Sequence, residues 1–186
     1  MVLFINACVR RSSRTKRLAD AYLSRLEDQI TEVCLVNKQF PNIREDYLEM
    51  RGQCAEARDF SSSVFQIAKD FAAADEIVIA APFWDLSFPA VLKQYLERVT
   101  VPDLTFYYTP EGVPKGLCRA RKLTYITTAG GPILCEEYGY GYVRALATQL
   151  FGIPDVRQIK AEGLDIDGAD VEAILRAAMG QIEENN

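Results

Sequence analysis

The sequence predicts a three-layer α/β sandwich: a five-stranded parallel sheet in the order 2-1-3-4-5 with helices on both faces. Three observations carry this. Short apolar runs recur at 2–6, 30–36, 76–81, 122–128 and 155–161, each too short for a lone helix. Helix-period segments alternate with them at roughly 13–28, 61–74, 88–99, 137–151 and 168–183, and such alternation calls for parallel strands, because each helix returns the chain to the same end of the sheet. The length, 186 residues with 49% hydrophobic, supplies one sizeable core and is short for two. A single domain over 1–186 is therefore expected.

Each element has its own warrant. Val2-Leu3-Phe4-Ile5-Asn6 is apolar almost throughout, as in a strand buried on both faces. It is shorter than the apolar core of a secretion signal and its basic residues follow it, the reverse of the secretory order. No run approaches the ~20 residues that span a bilayer, so a cytoplasmic protein with no membrane partner is expected. The first helix opens at Ser12-Ser13, either of which can cap it. Ile30–Val36 alternates in part, which suits an exposed edge strand. The polar stretch 37–60 is expected to form part of a helix covering a site or a partner subunit. Glu76–Ala81 is a strand stopped by Pro82, and 101–121 is an excursion punctuated by Pro and Gly. Lys122–Thr128 and 155–161 complete the sheet, and the last helix opens at Asp167-Gly168-Ala169-Asp170.

Composition excludes several functions. A net charge of −5 leaves no general basic face for nucleic acid. With no His and no Cys-x-x-Cys, no zinc site of the usual kind is expected and serine-type triads are absent. The five cysteines form an odd set that fits free thiols in a reducing compartment.

In doubly wound sheets ligands lie beyond the carboxyl ends of the strands, beside the first strand. That places function on the loops 7–14, 82–87 and 128–136. The first, within Asn6–Thr15, puts Arg10, Arg11, Arg14, Lys16 and Arg17 near a helix start. Positive charge there costs roughly 0.3–1 kcal/mol per exposed residue, and a bound dianion reverses the sign. Two anions fit. Cys8, five residues, then Arg14-Thr15 matches the spacing of a phosphatase thiolate loop, although the loop lacks glycine; the same helix start could hold a cofactor phosphate. The second loop, Pro82-Phe83-Trp84-Asp85-Leu86, offers aromatic side chains that either pack along a planar ring or fill the core.

The stretches "APFWDLSFPAVLKQYLERV" and "LTFYYTPEGVPKGLCRARKLTYITTAGG" closely resemble the FMN-dependent NAD(P)H azoreductases and quinone reductases, which have a flavodoxin-like fold. The Pro-aromatic loop, the Leu-Lys-x-Tyr helix, the Thr-Phe-x-Tyr-Thr segment, the Gly-Leu turn and the strand ending in Thr-x-Gly-Gly recur in that family's order, and the likeness covers about residues 1–165. The resemblance implies that FMN phosphate is held by Ser13, Arg14 and Thr15, with Arg10 a further candidate. It places Pro82, Phe83, Trp84, Asp85 and Leu86 along the flavin ring, and Thr128, Ala129, Gly130 and Gly131 at its pyrimidine end. Ala129 stands where the family often has Arg, and Cys8 where Ser is common.

The implied reaction passes hydride from NADH or NADPH through FMN to a quinone, azo compound or similar small acceptor. The flavin carries the chemistry, with Tyr138 and Tyr140 as candidate proton donors, and a homodimer is the family's usual state. The rivals are a flavodoxin-type electron carrier that does not turn over NAD(P)H and, behind it, a Cys8 phosphatase.

Overall fold

The structure, a computed structural model, describes residues 1–184. Five parallel strands form the sheet: β1 (Val2–Asn6), β2 (Ile30–Cys34), β3 (Glu76–Ala80), β6 (Lys122–Thr128) and β7 (Asp155–Ala161). Between β3 and β6 the chain makes β4 (Phe106–Tyr108) and β5 (Pro114–Gly116), an antiparallel pair outside the sheet. The sheet runs β2-β1-β3-β6-β7. This differs in detail from the expected 2-1-3-4-5, because two strands not anticipated in the 101–121 excursion intervene in chain order. Pro114 and Gly116 read as punctuation, yet Pro is tolerated at the first residue of an edge strand, where no ladder donor is needed.

Side-chain alternation divides the core in two. Leu3 and Ile5 of β1 face a cluster with α3 (Gln66–Ala73), α4 (Ala90–Val99) and α5 (Tyr140–Leu146). Val2 and Phe4 face the opposite cluster, closed by α1 (Arg14–Leu23) and α6 (Val171–Glu184). α1 buries Leu18, Ala19, Tyr22 and Leu23 at helical spacing, and full burial of Leu18 alone contributes about 1.5–3 kcal/mol. β1 is buried at every position and β2 opens to solvent, as expected for a central and an edge strand.

Helix limits moved where local geometry overrode periodicity. α1 stops at Leu23, not near 28, because the N–H groups of Ser24, Arg25 and Leu26 fold back onto the carbonyls of Asp20, Tyr22 and Leu23. α4 starts after Pro89, whose extended ψ of 138° keeps it out of the helix. The segment 137–151 is not one helix: a 3-10 turn at Glu136–Tyr138 precedes α5, and a π-helical turn at Ala147–Phe151 follows it, ended by Gly152 at φ 75°. α6 is capped by Asp170, whose carboxylate accepts from the Ala173 N–H at 3.0 Å, while Gly168 at φ 76° lies before it. The polar connection contains α2 (Glu45–Ala57), which buries no residue and rests only half-buried Met50 and Cys54 against the core. Among the described residues no helix is long and apolar enough to cross a membrane.

Candidate functional site

At the carboxyl ends of β1, β3, β6 and β7 four loops enclose a cavity of about 390 Å³. Its wall comprises Val9, Arg10, Ser12, Ser13, Arg14 and Thr15 from the first loop, Pro82, Phe83 and Trp84 from the second, Thr128, Ala129 and Gly130 from the third, and Leu164 and Asp165.

The first loop leaves β1 through Asn6, whose side-chain Nδ2 donates to the Glu32 carboxylate (2.8 Å) and whose side-chain Oδ1 accepts the Cys8 N–H (2.9 Å). Ser13 is the N-cap of α1: its hydroxyl accepts the Lys16 N–H at 3.2 Å, and its carbonyl takes Arg17 N–H at 3.1 Å. The Arg14 and Thr15 N–H groups are left available at the helix start. The buried Thr15 hydroxyl shares a 2.7 Å hydrogen bond with that of Thr128, joining the first loop to the third.

The basic run is less uniform than its sequence. Lys16 pairs with Asp20 and Arg17 makes a bidentate pair with Glu172 of α6. Arg10 lies over the Trp84 ring, 5.7 Å from its centroid. Arg14 donates through Nη1 to the Leu164 carbonyl (3.1 Å) and to the Asp165 carboxylate (2.6 Å).

The second loop turns tightly. Trp84 and Ser87 exchange two backbone hydrogen bonds of 2.9 and 2.8 Å, and the central pair Asp85 and Leu86 takes φ values of 50° and 64°. A two-residue turn with both φ positive follows the twist of a hairpin and strains a residue such as Leu86. Trp84 lines the cavity, whereas Asp85 and Leu86, at the tip of the turn, are exposed and are not among the residues of its wall. The Phe83 N–H donates to the Thr128 carbonyl at 3.0 Å.

The third loop pairs with a fourth that sequence reasoning missed. N–H groups of Gly163, Leu164 and Asp165 donate to the carbonyls of Gly131, Ala129 and Gly130 at 3.2, 3.2 and 2.9 Å. A Cβ on Gly130 would stand 2.3 Å from the Asp165 Oδ2, so a larger residue there would require the Asp165 side chain to swing away. Gly131 has no atom within 4 Å of its would-be Cβ and is not part of the wall. Position at the carboxyl end of the last strand was the available signal for the fourth loop. The expectation stopped at loops nearer the first strand.

Neither tyrosine candidate reaches the cavity. The Tyr140 hydroxyl donates to the Val156 carbonyl at 2.8 Å, and its ring packs on Tyr125. Tyr138 is exposed, held through its carbonyl by the Ser87 hydroxyl. Neither is among the residues of the cavity wall.

Cys8 is buried, lies outside the cavity wall and gives its thiol to the Ala80 carbonyl at 3.8 Å. Burial pushes its pKa up to about 11, outweighing a hydrogen bond with Ser13 that lowers it. A nucleophilic thiolate needs the opposite shift, so the phosphatase reading fails on geometry and charge. The raised pKa makes the thiol's contribution to stability complete below about pH 9 and lost as pH rises toward 11. Cys8→Ala is expected to flatten the fall in melting temperature between pH 9 and 11, and native Cys8 to resist iodoacetamide at pH 7.5.

A family model described as a flavodoxin-like fold matches residues 1–185. The chain belongs to this flavodoxin-like family. This flavodoxin-like protein is similar to the FMN-dependent NADH:quinone oxidoreductase 2 of Clostridium acetobutylicum, at 36% identity over 196 residues covering 98% of this chain and 96% of the relative. It is also similar to the FMN-dependent NADH:quinone oxidoreductase of Lachnoclostridium phytofermentans, at 35% identity covering 92% and 90%. Among solved structures, azoreductase AzrA superposes with a TM-score of 0.83 at 25% identity, covering 99% of this chain and 97% of that one. An azoreductase of Bacillus anthracis shares the fold with a TM-score of 0.85 at 24% identity, covering 99% and 97%.

Proposed function

We propose that this flavodoxin-like protein is an FMN-dependent NAD(P)H oxidoreductase that reduces a quinone, azo compound or similar small acceptor. The observation that carries the reading is the composition of one cavity. At one end, available N–H groups of α1 stand beside the Ser13 and Thr15 hydroxyls and the Arg14 guanidinium. Phe83 and Trp84 line the wall together with Thr128, Ala129 and Gly130. A ligand with a phosphate on a chain and a planar ring fits this pattern, phosphate at the helix start and ring against the aromatic wall. Relatives that cover nine-tenths or more of the chain, named as FMN-dependent NADH:quinone oxidoreductases, support the same assignment.

FMN, when bound, supplies the chemistry, accepting hydride from the nicotinamide and passing electrons to the acceptor. The chain's part is to hold and orient. Ser13, Arg14, Thr15 and Arg10 grip the phosphate, and Arg10 also braces Trp84 from above its ring. The Thr15–Thr128 bond and the Phe83 N–H to Thr128 carbonyl bond fix three loops to one another, so ring and phosphate ends are held at a set separation. Backbone donors of the third loop offer stabilisation to charge that develops on the ring during reduction. Acidic and basic side chains are not asked to transfer protons.

The protein is read as a cytoplasmic homodimer of single-domain subunits. Support comes from five unpaired cysteines, and from an open groove that brings Ile43, Leu48, Leu96, Phe106, Tyr108 and Tyr142 together between α2, α4 and the β4–β5 hairpin. Sedimentation equilibrium is expected to give twice the chain mass, and a monomer would remove the dimer from this reading. NADH with a benzoquinone is expected to give parallel double-reciprocal lines, as in an exchange where one substrate leaves before the next binds. Bound FMN that NADH does not reduce would instead mark an electron carrier.

A further inference from the structure

The cavity wall contains a carboxylate where a phosphate site would exclude one. Asp165 is the only acidic residue lining the cavity among the described residues, and its Oδ1 takes the Nη1 of Arg14 at 2.6 Å. Its position is built in. The Asp165 N–H is bound to the Gly130 carbonyl at 2.9 Å, and its Oδ2 occupies the space that a side chain on residue 130 would need. Yet the pair is open to water, with the side chains of Arg14 and Asp165 37% and 67% exposed. Such pairs hold weakly, whereas a phosphate dianion at a helix start meets the same guanidinium with two charges and aligned N–H donors.

We propose that Asp165 competes with the phosphate of the flavin for Arg14, so that loading exchanges one anion for another on one guanidinium. Asp165 is a specificity-determining residue in this scheme: it sets how strongly the phosphate, and not the ring, is bound. It holds the Arg14 Nη1 at the fourth loop, and it weakens retention of the phosphorylated flavin, making the cofactor exchangeable. The inference rests on the FMN reading above.

Dissociation constants for FMN and for riboflavin, which lacks the phosphate, test it by quenching of flavin fluorescence. Asp165→Asn is expected to tighten FMN about three- to tenfold, riboflavin changing less than twofold. The gain should shrink in 0.5 M salt and fall below twofold when Arg14→Gln is already present. FMN affinity unchanged or weakened by Asp165→Asn overturns the proposal. So does equal tightening of both flavins, or a gain that persists without Arg14. Wild-type protein binding FMN and riboflavin equally overturns the proposal while leaving a flavin site standing. Wild-type protein binding neither flavin overturns the functional reading and this inference with it.

Discussion

Arg14→Glu is expected to weaken FMN about a hundredfold while leaving the melting temperature nearly unchanged. The substitution removes a charge-assisted donor from the phosphate end and adds a second carboxylate beside Asp165, a loss of about 3 kcal/mol. It does not injure the helix. Arg14 is the first residue of α1, where a negative side chain suits the helix dipole better than a positive one. Riboflavin affinity should move far less, which separates loss of the phosphate grip from collapse of the cavity. Isothermal titration with both flavins, together with a thermal melt, reads all three quantities. A parallel loss of riboflavin would mean that Arg14 shapes the whole cavity.

Gly116→Ala is expected to destabilise the fold by about 3 kcal/mol, lowering the melting temperature by roughly 6–12 °C. Gly116 ends β5 and presses its Cα against the π-helical turn after α5. A Cβ would stand 2.2 Å from the carbonyl carbon and oxygen of Phe151 and 2.3 Å from the Gly152 nitrogen. These are backbone atoms, so no side chain can swing aside. Either the β4–β5 hairpin lifts from the body or the turn shifts, and Phe151, which packs edge-on to Phe71 at 4.8 Å, moves with it. Gly131→Ala is the control: its Cβ meets nothing within 4 Å, and the change is expected to be near neutral in melting temperature. If Gly116→Ala melted with the wild type, the close contact between hairpin and turn would be wrong.

The strands were legible because burial on both faces writes itself as continuous apolar residues: every residue of β1 is buried. The phosphate end was legible too, since a Ser cap and the start of an amphipathic helix are local signals, and Ser13 caps α1. What stayed hidden depends on residues far apart or on unusual backbone. Asp165 meets Arg14 across 151 positions of sequence, and no local pattern announces that pair. The exposure of Asp85 and Leu86 goes with a turn of two positive φ values, and such turns are normally marked by a Gly that this stretch lacks. Tyr140 read as a pocket residue from its nearness to Gly130-Gly131 in sequence, yet the helix that it opens turns its hydroxyl to the Val156 carbonyl. The β4–β5 hairpin was concealed by its own Pro and Gly. Its glycine matters through a contact with residues 151–152, which only the folded chain brings near.

The central claim is that the cavity holds FMN reducible by NADH and reoxidised by a small acceptor. The visible spectrum of the protein, loaded with FMN under anaerobic conditions, tests it most directly. The yellow flavin bands should bleach on addition of one equivalent of NADH and return on addition of a benzoquinone. Protein that takes up no flavin, or whose bound flavin keeps its colour in excess NADH and NADPH, would contradict the account.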